Sequence, residues 1–229
     1  MGLIPALDIE GLSALTSKRW PMGIGAGRPR AIASTGDPVW NVELAWLDDR
    51  RLAERSVRIG DNPVQRREVY HWTAERLDRI EIFDEDPDEG PVEELRWTWS
   101  GDRPIEVRHE RGPGRSEGPV ETWRWSDDGR RLEIVEAARQ RVIVRREVAL
   151  DEHGRMRRSV SEWDGARIVV ECEWSSDGRL VLARELGAPG STGEHVIRFR
   201  WDDGGHLVAQ SDDQRGGADT WRYAYETTS

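Results

Sequence analysis

Apolar and polar residues alternate with period two in short stretches that recur along the chain. Val42, Leu44 and Trp46 are interleaved with Asn41, Glu43 and Ala45. Leu95, Trp97 and Trp99 are interleaved with Arg96 and Thr98, and Ile197, Phe199 and Trp201 with Arg198 and Arg200. Trp221, Tyr223 and Tyr225 follow the same rule around Arg222 and Ala224. Period two predicts β-strands with one apolar face and one solvated face. A helix would split Trp97 from Trp99, because it turns about 200° between i and i+2. Each stretch closes on an anchor: Trp46, Trp72, Trp99, Trp125, Leu150, Trp174, Trp201 or Tyr225, spaced 24 to 27 residues apart. A fixed spacing of this size marks a repeated supersecondary unit.

Behind the anchor comes a turn, then Arg and an apolar residue. The best copies are Trp-Ser-Asp-Asp-Gly-Arg-Arg-Leu at 125–132, Trp-Ser-Ser-Asp-Gly-Arg-Leu at 174–180 and Leu-Asp-Glu-His-Gly-Arg-Met at 150–156. Asp and Ser bond to nearby backbone, and Gly accepts the positive φ that closes a hairpin. Gly129, Gly154, Gly178 and Gly204 are therefore predicted in tight turns. Leu52, Leu77, Leu132, Met156, Leu180 and Leu207 start the return strands. The copy at 72–77 has no Gly, and the copy at 99–104 has none directly before its Arg and puts Pro104 where Leu is expected. Those two hairpins are expected to be less regular. Stretches rich in Gly, Pro and acids at 84–91, 111–119, 187–193 and 211–217 read as longer loops at the opposite end.

The pattern predicts an all-β fold, an antiparallel meander of about eight hairpin repeats curled into a closed or nearly closed barrel. A curved open sheet or a sandwich is the alternative. One apolar face must be covered, and some fifteen strands exceed what a flat sheet tolerates. The stretch at 219–225 has no return strand after it. Residues 28–34 are placed to supply one, which would remove both sheet edges. The chain then divides into an N-terminal segment, 1–38, and a hairpin-repeat domain, 39–229. The first is a cap, a plug or a mobile arm, with a short helix at 9–15 and a loop at Gly23–Gly27.

Composition narrows the partners. Only 36% of the residues are apolar and 34% are charged, a balance that also occurs in disordered chains. The 12 Trp argue for a packed core, since most fall at periodic positions. A net charge of −10 disfavours nucleic acid and anionic membrane surfaces. No apolar run is long enough for a transmembrane helix. Met1–Leu15 carries Asp8 and Glu10 and no basic start, unlike a signal peptide. A cytoplasmic protein is the expectation. Lys18 is the only Lys, which points to a GC-rich, bacterial genome. Cys172 is alone, so neither an internal disulfide nor a Cys-based zinc site is expected. Its strand position predicts a buried, inert thiol.

The aromatic-Asp-Gly-Arg-Leu units resemble the YD-repeat, or Rhs-repeat, family, whose signature is Tyr-Asp-x-x-Gly-Arg-Leu and a short apolar strand. Here Trp stands for Tyr and Ser often for Asp. The unit at Trp201–Leu207 keeps the Asp and loses the Arg, and the unit at Trp174–Leu180 keeps Gly-Arg-Leu. The likeness runs from Trp40 onward. It implies a sheet that spirals into a shell around a toxin domain. In a chain of this length it implies a short freestanding relative, accessory to a polymorphic-toxin or secretion system. The layout is also similar to the β-flower proteins, shallow barrels of hairpins.

Residues suited to catalysis form no recognisable constellation. His71, His109, His153, His195 and His206 lack the spacing of metal ligands and read as solvated. Gly23–Gly27 lacks the flanking strand and helix of a phosphate loop. The acids at 84–89 match no calcium loop and read as solvated. No metal or cofactor is expected. Trp46, Trp72, Trp99, Trp125, Trp174 and Trp201 are the one group with collective potential. Their plain role is an aromatic core; their functional role would be to line a cavity for a lipid, another apolar ligand or a peptide. Trp163 lies off the anchor register and is expected at the surface as a contact point. The function expected is therefore a non-enzymatic interaction or structural module with a protein partner. An apolar-ligand carrier comes second and an enzyme of unknown type third.

Overall fold

The computed structural model describes residues 29–34, 40–47, 51–74, 76–84, 90–112, 116–186, 195–212 and 219–225. They form 16 strands. Unit by unit these are β1 (Pro29–Ser34), β2 (Trp40–Trp46), β3 (Leu52–Ile59), β4 (Arg66–Thr73), β5 (Arg76–Phe83), β6 (Glu93–Ser100), β7 (Arg103–Arg111) and β8 (Ser116–Trp125). Then follow β9 (Arg131–Ala138), β10 (Arg141–Leu150), β11 (Met156–Trp163), β12 (Ala166–Trp174), β13 (Leu180–Leu186), β14 (His195–Trp201), β15 (Leu207–Asp212) and β16 (Asp219–Tyr225). Each strand neighbours the next in sequence, and β16 returns to β1, so the antiparallel meander closes into a barrel. The open sheet and the sandwich are thereby excluded. By compactness the chain divides into two units, one of residues up to 92 and from 197 on, the other Glu93–Val196.

Closure follows the repeat. Seven hairpins are continuous in sequence. The eighth joins β16, as first strand, to β1, as return strand, with Tyr223 opposite Ile32 and Tyr225 opposite Pro29. On its other side β16 pairs with β15, from Ala209↔Arg222 to Asp212↔Asp219. The segment at 28–34 thus takes the place expected of it from Pro29 onward. The expectations for residues 1–28, including the helix at 9–15 and the Gly23–Gly27 loop, lie outside the described residues.

A β-bulge shapes nearly every hairpin. The register shifts by one residue just before Trp46, Trp72, Trp99, Leu150, Trp174 and Trp201. The extra residue lies on the return strand, so the buried side chains there include Leu52, Arg55 and Val57, or Leu180, Ala183 and Glu185, and break strict alternation. The hairpin of β8 and β9 has no such shift: Trp125 faces Leu132 and Arg124 faces Glu133. Its motif carries one more residue in the turn, and the turn takes up what the strand absorbs elsewhere.

The tight turns close as their chemistry requires. Gly129, Gly154 and Gly178 all have positive φ, between 70° and 83°. In the last copy Gly204 lies in the turn, but Gly205 takes the positive φ, 84°. Ser or Asp closes each loop: Ser175 Oγ accepts from Arg179 N at 3.0 Å, and Asp151 Oδ1 accepts from Arg155 N at 2.9 Å. The two copies expected to be irregular are shorter instead. Thr73 pairs with Arg76 and Ser100 with Arg103. Ala74 (φ 54°) and Gly101 (φ 56°) supply the left-handed residue. Opposite, not every connection is long. β9 and β10 join through Arg139-Gln140, and β11 and β12 through Asp164-Gly165, all four residues at positive φ.

The core is built two residues before each anchor. Leu44, Tyr70, Trp97, Trp123, Val148, Cys172, Phe199 and Tyr223 are all buried, with Leu52, Val107, Leu132, Val170 and Ala183 on return strands. The six anchor Trp are half-buried, because each lies at or one residue from the end of its strand.

Candidate functional site

The anchor Trp join one hairpin to the next. Trp72 Nε1 donates to Leu52 O at 2.8 Å, Trp125 Nε1 to Pro104 O at 2.9 Å and Trp174 Nε1 to Met156 O at 2.8 Å. In each case the acceptor is the first apolar residue of the preceding return strand. The Arg before that residue reaches the same way. Arg103 lies over the Trp125 ring at 5.5 Å and Arg155 over the Trp174 ring at 5.3 Å. Arg51 Nη1 donates to Ala74 O at 2.9 Å. The turn Gly makes room for this: a Cβ on Gly129 would fall 2.5 Å from Arg103 Nη2. The signature aromatic-x-x-x-Gly-Arg-Leu is therefore a contact between neighbouring repeats. The indole satisfies a rim carbonyl that strand pairing leaves over, and the guanidinium covers the ring's exposed face.

These contacts bear on the residues singled out for ligand binding. Trp72, Trp125 and Trp174 spend their N–H groups on the neighbouring hairpin. Trp46 also borders a groove of about 600 Å³ on the solvated face, with Ala31, Glu43, Ala45, Glu54 and Ser56. A second groove, about 480 Å³, lies over Ala149 between Glu133, Glu147, Arg158 and Val160. Both form where a small Ala precedes the anchor among long charged side chains. Trp163, expected at the surface, is half-buried.

Among the described residues, each unit has buried charged groups that cluster. Glu68 accepts from Arg55 Nη1 at 3.1 Å, Arg66 Nε at 2.8 Å and Tyr70 Oη at 2.6 Å. Burial alone would raise its carboxyl. Arg55, Arg66 and the Tyr70 hydroxyl outweigh burial and hold it down at about 2. Burial and the Glu68 charge push Tyr70 well up. Glu68 is thus a fixed anion, far from the range of a proton-transfer group. In the other unit His109 Nδ1 lies 2.8 Å from Glu93 Oε1, and its Nε2 lies 3.9 Å from Glu121 Oε1. Trp123 Nε1 donates to Glu121 Oε2 at 3.2 Å. His109 was expected in solvent and is only 6% exposed. The bulge after Pro104, where Thr98 faces Glu106 and Trp99 faces Pro104, sets Val107 and, two residues on, His109 on the buried face.

The other His are ordinary where described. His71 Nε2 meets Glu81 Oε2 at 2.9 Å, His206 Nδ1 meets Asp202 Oδ2 at 3.0 Å, and His153 is exposed in its turn. Among the described residues no three of His, Cys, Asp or Glu converge on a metal position. Cys172 is buried, and burial pushes its thiol up to about 12.

The solvated face is a mosaic of cross-strand ion pairs. Arg67 meets Glu54 at 2.9 Å, Arg184 meets Glu173 at 2.7 Å, Arg124 meets Glu133 at 3.4 Å and Arg158 meets Glu171 at 3.6 Å. Each such pair is worth about 0.2–1 kcal/mol. The row sets the character of the surface more than it sets stability.

No family model matches the chain, and no curated protein does. Solved structures resemble it, one of them with a TM-score above 0.5. A porin-like protein from Bacteroides vulgatus superposes with a TM-score of 0.52 at 10% identity, covering 86% of this chain and 98% of that one. A porin-like protein from Bacteroides uniformis gives 0.42 at 9% identity, covering 88% and 98%. A Tc holotoxin pore of Photorhabdus luminescens gives 0.35 at 9% identity, covering 82% of this chain and 12% of that one. The likeness is one of fold. Among the described residues no helix is long and apolar enough to cross a membrane. A barrel crossing by its strands would need an apolar outward band. The solvated face here carries the Arg and Glu just described.

Proposed function

We propose that this chain is a non-catalytic β-barrel whose work is to hold a rigid surface for a protein partner. The observation that carries the reading is the rim contact between repeats. The aromatic and Arg residues that recur most regularly are bonded to the neighbouring hairpin, so the repeat is maintained for rigidity. The buried charges fit the same reading, since Glu68 and His109 are enclosed by partners and withdrawn from solvent. We take the aromatic set Trp46, Trp72, Trp99, Trp125, Trp174 and Trp201 as structural first and as a ligand lining second. The YD-repeat resemblance supports a role beside a toxin-delivery or secretion apparatus, and the ion pairs of the solvated face support a position on its aqueous side. A cytoplasmic location fits the acidic, ion-paired surface.

Native mass spectrometry of the purified protein tests this. The expected spectrum shows the polypeptide without a small-molecule adduct. A lipid or other apolar molecule retained at one equivalent, and lost on replacing the anchor Trp by Ala, would overturn the reading in favour of a carrier.

A further inference from the structure

The β9–β10 hairpin combines three features. It overhangs its neighbour: the last pair between β10 and β11 is Arg145↔Glu162, so residues 141–144 have no ladder partner on that side. Within a closed ring this leaves a short free strand edge. It exposes apolar side chains, Val142 at 51% and Ile143 at 40%, with Ile143 the extra residue of a bulge. And its two-residue turn holds Arg139 (φ 47°) and Gln140 (φ 66°) in the left-handed region without Gly, whereas the adjacent hairpin uses Asp164-Gly165. Non-Gly residues in that region are strained, and strain that persists marks positions kept for another purpose.

The chemistry of the tip selects its occupant. Residues 137–146 contain Arg139, Arg141, Arg145 and Arg146 and no acid. Arg139 and Arg141 are exposed, and neither enters an ion pair among the described residues. A free edge normally invites a second copy. Here a second copy would bring another Arg-rich, acid-free tip close to this one, which is unfavourable. An anionic bilayer would meet a body of net charge −10 and a surface carrying many Glu. A single extended segment bearing carboxylates meets neither obstacle. We infer that the edge of β10 at residues 141–144 docks such a segment of a partner protein. The segment adds as a short strand, its carboxylates beside Arg139 and Arg141 and its apolar side chains against Val142 and Ile143. This names the partner surface of the module proposed above and rests on that reading.

The test is fluorescence anisotropy with the full chain and a labelled short peptide of alternating Glu and Val. Three controls accompany it: the same peptide with N-methylated amides, a Lys–Val peptide, and vesicles of phosphatidylcholine with phosphatidylserine. Saturable binding of the Glu–Val peptide alone is expected, weakened about tenfold or more in the Arg139→Glu/Arg141→Glu variant. No saturable binding overturns the inference. So does equal binding of the N-methylated peptide, binding unchanged by charge reversal, or binding to vesicles in place of peptide. The N-methylation arm uses the unaltered protein and stands even if the variant folds poorly. A retained small molecule in the mass spectrum would sink the module reading and leave the peptide result as it is.

Discussion

Replacing Trp125 separates the parts of the rim contact. The side chain is half-buried, donates to Pro104 O at 2.9 Å and lies under Arg103 at 5.5 Å. A Trp offers about 150–250 Å² to bury. Half of that at about 25 cal/mol per Å² amounts to about 2–3 kcal/mol. The hydrogen bond adds about 1 kcal/mol and the Arg contact about 0.5–1 kcal/mol. Trp125→Ala is therefore expected to cost about 3–5 kcal/mol, within the range for large aromatics. Trp125→Phe keeps a ring and loses the donor, for a cost of about 1–2 kcal/mol. A double-mutant cycle of Arg103→Ala with Trp125→Ala should give a coupling of about 0.5–1 kcal/mol. Urea unfolding followed by far-ultraviolet circular dichroism, with linear extrapolation, measures all of these. A Trp125→Ala cost below about 1 kcal/mol would show that ring, donor and stacking do not hold the repeats together.

Three further outcomes are expected. Glu68 has a folded value of about 2 against an ordinary 4.5, so its ionised form is favoured by the fold. That stabilisation, about 3 kcal/mol, is complete above the ordinary value and is lost as pH falls from about 4.5 through about 2. Glu68→Gln should be less stable near neutrality and lose less stability across that window; parallel stability–pH curves for the two proteins would refute this. Cys172 should resist a thiol reagent in the native protein and react in urea, because burial holds its thiol at about 12; rapid native labelling would mean that β12 opens locally. Deleting residues 219–229 removes the strand that pairs with both β1 and β15. The truncated protein should aggregate on size exclusion, and a soluble monomer would show that the ring does not depend on this closure.

Much of the architecture is local and so was present in the sequence. Period-two alternation fixes which face of a strand is apolar, and the Gly of the Asp-Gly-Arg turn fixes where it reverses. The spacing of Trp46, Trp72, Trp99 and their successors counts the hairpins. The unpaired stretch at 219–225 announced the closing partner at 28–34. The sequence could not show what depends on a neighbouring strand. The bulge before each anchor arises from fitting two strands around one turn, and it carries Arg55 and His109 to the buried face although each sits among charged residues. Ala74 closes a turn that lacks Gly because strand pairing holds it at φ 54°. The indole of Trp125 finds its acceptor 21 residues away, on another hairpin. Nor does any residue type mark the β9–β10 tip: Arg139-Gln140 is no turn signal, and Val142 and Ile143 look like core. Only the length of β11 beside them leaves that edge uncovered. Local chemistry therefore determined the repeat, and contacts between repeats decided which side chains are buried, bonded or left at the surface.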